Sequence, residues 1–228
     1  MRCSNKGYMT PWGASPAAPT LPAGSPRAGV SAMSSTDIDL LIRHPWVTHR
    51  PLTVSDYHRM GDAGILTEHD RVELIEGALV TMAPIGSDHS GTVNTLTRLL
   101  VRAVGDRGIV AVQNPVRLDD LSEPQPDFAI LRPRGDDYRR STPTPSDVLL
   151  IIEVANSSLA YDRAIKRALY ARHAIPEFWI VNLKDQEVEI CRAPSGGTWA
   201  ETFRAGQDAM LEPALLPGVE IPVAALWG

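Results

Sequence analysis

The run Val148–Ile152 is the longest purely aliphatic stretch of the chain, and Glu153 closes it. Five aliphatic residues suit a strand covered on both faces, whereas a bilayer-spanning helix needs about 20. A helical membrane protein is therefore excluded, and a sheet with its central strand at 147–154 is expected. The acid at the end of that strand is the anomaly. Burying a carboxylate costs several kcal/mol unless a cation or hydrogen-bond donors compensate it.

Around this strand the patterning predicts further elements. Thr53 caps a short helix reaching Met60. Segments 71–75 and 78–82 flank Glu76-Gly77 as a β-hairpin, with the glycine at a positive φ. A helix over 87–104 carries Val93, Leu96, Leu100 and Ala103 on one stripe. Strands follow at 109–118 and 127–131, then an Arg/Pro/Asp-rich loop at 132–146. Helix 158–173 lies between strands 147–154 and 177–183, the pattern of a right-handed parallel crossover. Segments 186–192 and 199–204 read as antiparallel edge strands, and 215–227 as an irregular apolar tail. The whole is a mixed α/β domain.

Composition sharpens the picture. The chain has 228 residues, of which 43% are hydrophobic and 21% charged, as in a globular protein of one or two domains. Pro, Ala, Gly and Ser supply 21 of residues 1–36, and no acid occurs before Asp37. That stretch reads as a disordered tail, or as sequence upstream of a true start at Met33. It holds three of the 22 basic residues and none of the 27 acidic ones, so a formal net charge of −5 becomes one near −8 for the rest. Such a balance disfavours a general nucleic-acid coat. Cys3 and Cys191 are too few and too distant for a disulfide scaffold or an all-cysteine zinc site. Reduced thiols and a cytoplasmic location are expected.

The chemistry gathers around the buried strand. Asp127 opens the strand at 127–131 directly after Pro126, and Glu153 ends the next one. Two carboxylates at neighbouring strand ends can share a magnesium ion, which takes one or two carboxylates plus water and phosphate. Asp162 and Lys166 stand four apart on the next helix and face one side. As a surface pair they mean nothing further. Pointing at Glu153, Lys166 would stabilise a phosphate oxyanion or orient a water. His89 opens the 87–104 helix, where a surface or capping role is the commoner one. Gln113 is a polar residue on an apolar strand. Asn156 and Ser157 read as loop and cap, and Tyr170 as core. Walker, dinucleotide and nucleophile-elbow motifs are all lacking.

Taken in order, Arg71-Val-Glu-Leu-Ile-Glu-Gly77, Gln125-Pro-Asp-Phe128, Ile152-Glu-Val-Ala-Asn-Ser-Ser158, Asp162-Arg-Ala-Ile-Lys166 with Tyr170, and Ile175-Pro-Glu-Phe-Trp-Ile-Val181 resemble the Uma2 family. This is a restriction-endonuclease-like family of the PD-(D/E)XK nuclease superfamily. The resemblance runs over about 48–228 and includes the ending Leu215-Leu-Pro-Gly-Val219. It implies an α-β-β-β-α-β core with a mixed sheet, here carrying an N-terminal β-hairpin and an antiparallel C-terminal extension. It also implies that Asp127 and Glu153 hold Mg2+ or Mn2+ and that Lys166 acts with them. Ala155 stands where the superfamily lysine normally sits, so Lys166 would reach the site from the helix. Glu73, His89 and Gln113 are additional candidates.

The expected function is Mg2+-dependent cleavage of DNA. The alternative is a catalytically inactive nuclease-fold module that binds nucleic acid or protein. Edge strands at 186–204 offer a surface for a homodimer. Local DNA contact is expected from Arg132, Arg134, Arg139 and Arg140 after the Asp127 strand, and from Arg163, Lys166, Arg167 and Arg172 on the helix.

Overall fold

Val148–Ala155 does form the central strand, and all eight of its residues are buried. The computed structural model describes residues 48–67 and 69–227, so the expected tail at 1–36 lies outside the described residues. Arg50–Gly228 forms one compact unit.

In chain order the elements are α1 (Val54–Asp62), β1 (Val72–Ile75), β2 (Ala78–Thr81), α2 (Ser87–Val104), β3 (Ile109–Val112), β4 (Phe128–Leu131) and β5 (Val148–Ala155). A helical segment follows: α3 (Leu159–Tyr161), a π-helical turn (Asp162–Lys166) and α4 (Arg167–Arg172). The chain continues with β6 (Glu177–Asn182), β7 (Glu187–Ser195), β8 (Thr198–Ala205), β9 (Met210–Leu211) and β10 (Ile221–Pro222). The main sheet has six strands in the order β3-β4-β5-β6-β7-β8. Only the β5–β6 pair is parallel. A helical connection between those two strands is what a parallel pair demands. The α-β-β-β-α-β order with a mixed sheet is therefore present, preceded by the β1–β2 hairpin and extended by β7 and β8.

Two apolar layers cover the sheet. On one face Leu96, Leu100 and Val104 of α2 pack with Phe128, Ile130, Ile152 and Trp179, joined by Leu216, Val219 and Leu226 of the C-terminal segment. On the other, Leu169, Tyr170 and Ala171 of α4 pack with Ala129, Ile151, Ala155 and Phe178. Ile130 pairs with Leu150 while Leu131 pairs with Val148, so Leu149 is an extra residue, a β-bulge in β5. Past the bulge the alternation is regular. Ile151 and Ala155 face α4, and Glu153 between them faces the same way.

Several boundaries differ from the sequence reading. The strand expected at 109–118 stops at Val112. Gln113 has φ 52, a left-handed conformation that turns the chain out of the ladder. Residues beyond it make their own bonds, Val116 N–H to Pro124 O and Leu118 N–H to Ser122 O. The expected continuous helix at 158–173 is interrupted by the π turn, where the Arg167 N–H reaches the Asp162 carbonyl. β7 is not an edge strand, because β6 and β8 flank it; of that antiparallel pair β8 alone lies at an edge, with β3 at the opposite one. The tail at 215–227 contains a short strand, β10, paired with β9. Glu76 and Gly77 both have positive φ, so the hairpin turn uses two left-handed residues.

Candidate active site

Sheet register builds the site. Val112 pairs with Phe128, and Phe128 with Ile152. One step further along each strand, Gln113, Asp127 and Glu153 therefore stand in a row across three neighbouring strands. Hydrogen bonds seal this row. The Gln113 N–H donates to the Asp127 carbonyl at 3.0 Å, and the Gln113 side-chain amide to Asp127 Oδ1 at 3.2 Å. The Asp127 N–H donates to Glu153 Oε2 at 3.3 Å, and the Val154 N–H to Asp127 Oδ2 at 2.9 Å. His89, in the first turn of α2, approaches the same oxygen with Nε2 at 3.0 Å. Its Nδ1 is buried with no partner.

Beneath the row lies a buried ionic layer. Lys166 Nζ donates to Glu73 Oε1 at 2.8 Å and to Glu153 Oε1 at 3.1 Å. Tyr170 Oη donates to Glu153 Oε1 at 2.9 Å. Glu73 comes from β1, which the isolated bridge Leu74–Glu123 ties to the segment leading into β4. The Gln125 N–H fixes Glu73 Oε1 at 2.7 Å, whereas Glu73 Oε2 is buried without a partner. Asp162 and Lys166 both sit on the π turn and both are buried. Turns of this kind recur at functional sites because they re-aim side chains.

Charge is unbalanced here. Glu73, Glu153 and Asp162 are at most 6% exposed, with Asp127 beside them, and Lys166 is the single buried cation among the described residues. Burial raises the Glu153 pKa to about 8; Lys166 pulls it down, and the Asp162, Asp127 and Glu73 carboxylates push it further up. Burial likewise lifts Asp162 to about 6, against the Ser158 hydrogen bond and Lys166. Burial disfavours the Lys166 ammonium, yet Glu153 and Glu73 outweigh it and the lysine pKa rises. A cleft of about 1370 Å³ opens onto this layer and is lined by Glu73, His89, Gln113, Asp127, Glu153 and Asp162, among others. Among the described residues, no three His, Cys, Asp or Glu side chains form a ready-made metal cage.

All six residues singled out in the sequence thus converge. Gln113, Asp127, Glu153, Glu73 and His89 reach the cleft, and Lys166 lies under it. Two expectations change. Lys166 is fully enclosed and does not line the cleft, so its partners are carboxylates and not an open phosphate position. The arginines expected to flank the site are mostly committed elsewhere. Arg132 and Arg134 bond Ser146 O and Asp136 at the far end of β4, about 16 Å along the strand from Asp127. Arg163 pairs with Glu189 and Arg172 with Glu76. Asp162 and the Tyr170 hydroxyl were underrated, although both share Lys166's four-residue spacing.

Comparison with known proteins bears on the family and the fold. Residues 54–224 match the Uma2 family model, described as "Putative restriction endonuclease". The fold is similar to a 1.96 Å crystal structure of a "putative nuclease belonging to DUF820" from Anabaena variabilis ATCC 29413. That similarity has a TM-score of 0.62 at 16% identity, covering 78% of this chain and 98% of the other. No curated protein matches the chain. Since the family match spans most of the chain, the protein belongs to the Uma2 family.

Proposed function

We propose that the protein is a metal-dependent endonuclease that hydrolyses phosphodiester bonds in DNA, with Mg2+ or Mn2+ at Asp127 and Glu153. One observation carries this reading: two carboxylates sit opposite each other on adjacent strands, at the mouth of a cleft with more buried acids than cations. The unpartnered Glu73 Oε2 and an all-carboxylate donor set suit a hard divalent cation. Such an ion supplies charge stabilisation at the phosphate and lowers the pKa of a bound water. The protein's part is preorganisation. The Val154 N–H holds Asp127 Oδ2, Gln113 holds Oδ1, and Lys166 neutralises and fixes Glu73 and Glu153.

Asp127→Asn and Glu153→Gln are each expected to lower Mg2+-dependent DNA cleavage by at least about a hundredfold while circular dichroism stays native. A wild-type protein that leaves single- and double-stranded DNA intact with both Mg2+ and Mn2+ sinks the reading. The lack of a three-ligand cage among the described residues favours a second reading, a nuclease-fold binding module without hydrolysis. Calorimetric titration with Mn2+ separates the two, since the module takes up no metal. We further propose action in the cytoplasm as a homodimer paired through the exposed edge strand β8. Light scattering reads the oligomeric state. Among the described residues no helix is long and apolar enough to cross a membrane.

A further inference from the structure

Glu153 is held by more than its ion pair. Its Oε1 receives both the Lys166 ammonium at 3.1 Å and the Tyr170 hydroxyl at 2.9 Å, which fills both lone pairs of that oxygen. Its Oε2 is left to the Asp127 N–H, at a longer 3.3 Å, and to the cleft. The last torsion of a glutamate has only a broad, two-fold preference of its own, so the donors decide how the carboxylate is turned. Lysine is a poor choice for that task by itself, because its ammonium rotates and is shared here with Glu73.

Tyr170 is better suited. Its ring is fully buried and cannot drift. The centroid lies 5.0 Å from Phe178 of β6, and Phe178 stacks at 6.4 Å on Trp199 of β8. The Trp199 indole N–H donates at 2.9 Å to the carbonyl of Arg167, on the same short helix as Tyr170. An aromatic ladder thus starts at the sheet edge and ends with a hydroxyl at a fixed point beside Glu153.

We propose that Tyr170 is a positioning residue that sets the orientation of the Glu153 carboxylate, directing Oε2 to the cleft for the cation. The metal-binding and kinetic consequences rest on the nuclease reading, whereas the orientation itself does not. Tyr170→Phe removes the hydroxyl and keeps the ladder. The variant is expected to melt within a few degrees of wild type. Its crystal structure should show the Glu153 carboxylate rotated. Calorimetry should show Mn2+ affinity about 10–100-fold weaker, and kcat should fall with KM for DNA unchanged. Leu169→Ala serves as a control. It opens a cavity in the same layer without touching the hydroxyl, so it should lower the melting temperature and leave Mn2+ affinity alone. A Tyr170→Phe structure in which Glu153 superposes on wild type overturns the proposal whatever the activity. Unaltered Mn2+ affinity in Tyr170→Phe overturns it too. If wild type neither binds Mn2+ nor cuts DNA, the nuclease reading fails, and the Glu153 orientation in the variant still decides the role of Tyr170.

Discussion

Two buried glutamates show what separates a structural acid from a functional one. Glu177 is fully buried, yet it accepts from the Trp179 indole and the Arg192 guanidinium at Oε1 and from the Ala214 N–H at Oε2. It ties β6 and β7 to the C-terminal segment, and both of its oxygens have protein partners. Glu177→Ala should cost about 1–3 kcal/mol in urea denaturation by leaving the buried Trp179 indole N–H without its acceptor, without altering Mn2+ affinity. Glu153 instead shares one lysine with Glu73 and sits among other acids, and that mismatch has a pH signature. The folded-state pKa values of Glu153 and Asp162 lie above their ordinary values of 4.5 and 3.8. Their contribution to stability is therefore complete below pH 4 and is lost as pH rises through about 6 and then about 8. Asp162→Asn should flatten the lower part of this fall, between about pH 4 and 6, in metal-free thermal melts. Asp127 and Glu153 were legible in the sequence because an acid beside an apolar run is anomalous. Glu177 escaped notice because its partners come from distant segments, and the Tyr170 hydroxyl because an aromatic on an amphipathic helix reads as packing.

At the level of elements, the strand–helix order was legible almost throughout, since apolar periodicity reports burial and burial defines this sheet. What periodicity could not report is where a strand stops for a backbone reason. β3 ends at Gln113 through a left-handed φ at a non-glycine residue. The π turn is equally silent, because Asp162 and Lys166 keep a spacing that an ordinary helix also allows. Nor does the sequence say which strand of the final antiparallel pair is outermost. The β1–β2 hairpin delivers Glu73 and gives the clearest test of an element. Gly77 has φ +77, and a Cβ there would lie 2.3 Å from the Pro51 Cβ. Gly77→Ala should therefore destabilise the fold by more than the ~1 kcal/mol typical of glycine conformation alone. A lowered urea midpoint together with weaker metal binding would place the damage at Glu73.

Across the whole molecule, the acidic surplus and the proposed substrate are reconciled only locally. Most arginines of the 132–140 loop and of the helical segment pair with neighbouring acids, a carbonyl or the Thr202 hydroxyl, so among the described residues few cations remain uncommitted. Arg98 and Arg102 are two of them, exposed on α2, the helix that delivers His89. No acid lies between Asp88 and Asp106 on that stretch. On the nuclease reading, Arg98→Ala with Arg102→Ala should weaken DNA binding and lower the salt slope by about 1–2 in fluorescence anisotropy. An unchanged slope would exclude α2 from the interface. The bulge at Leu149 bears on how relatives of this chain can vary. Facing alternates residue by residue, so the site exists in only one reading frame of the β4–β5 ladder. Loops outside that frame can lengthen or shrink freely. Because Leu149 is itself the unpaired residue, its loss would leave Leu131 on Val148 and Ile130 on Leu150, whereas a residue lost or gained between Leu150 and Glu153 would put Val154 or Ile152 where Glu153 belongs. The chemistry is thus protected less by the identity of its neighbours than by their number.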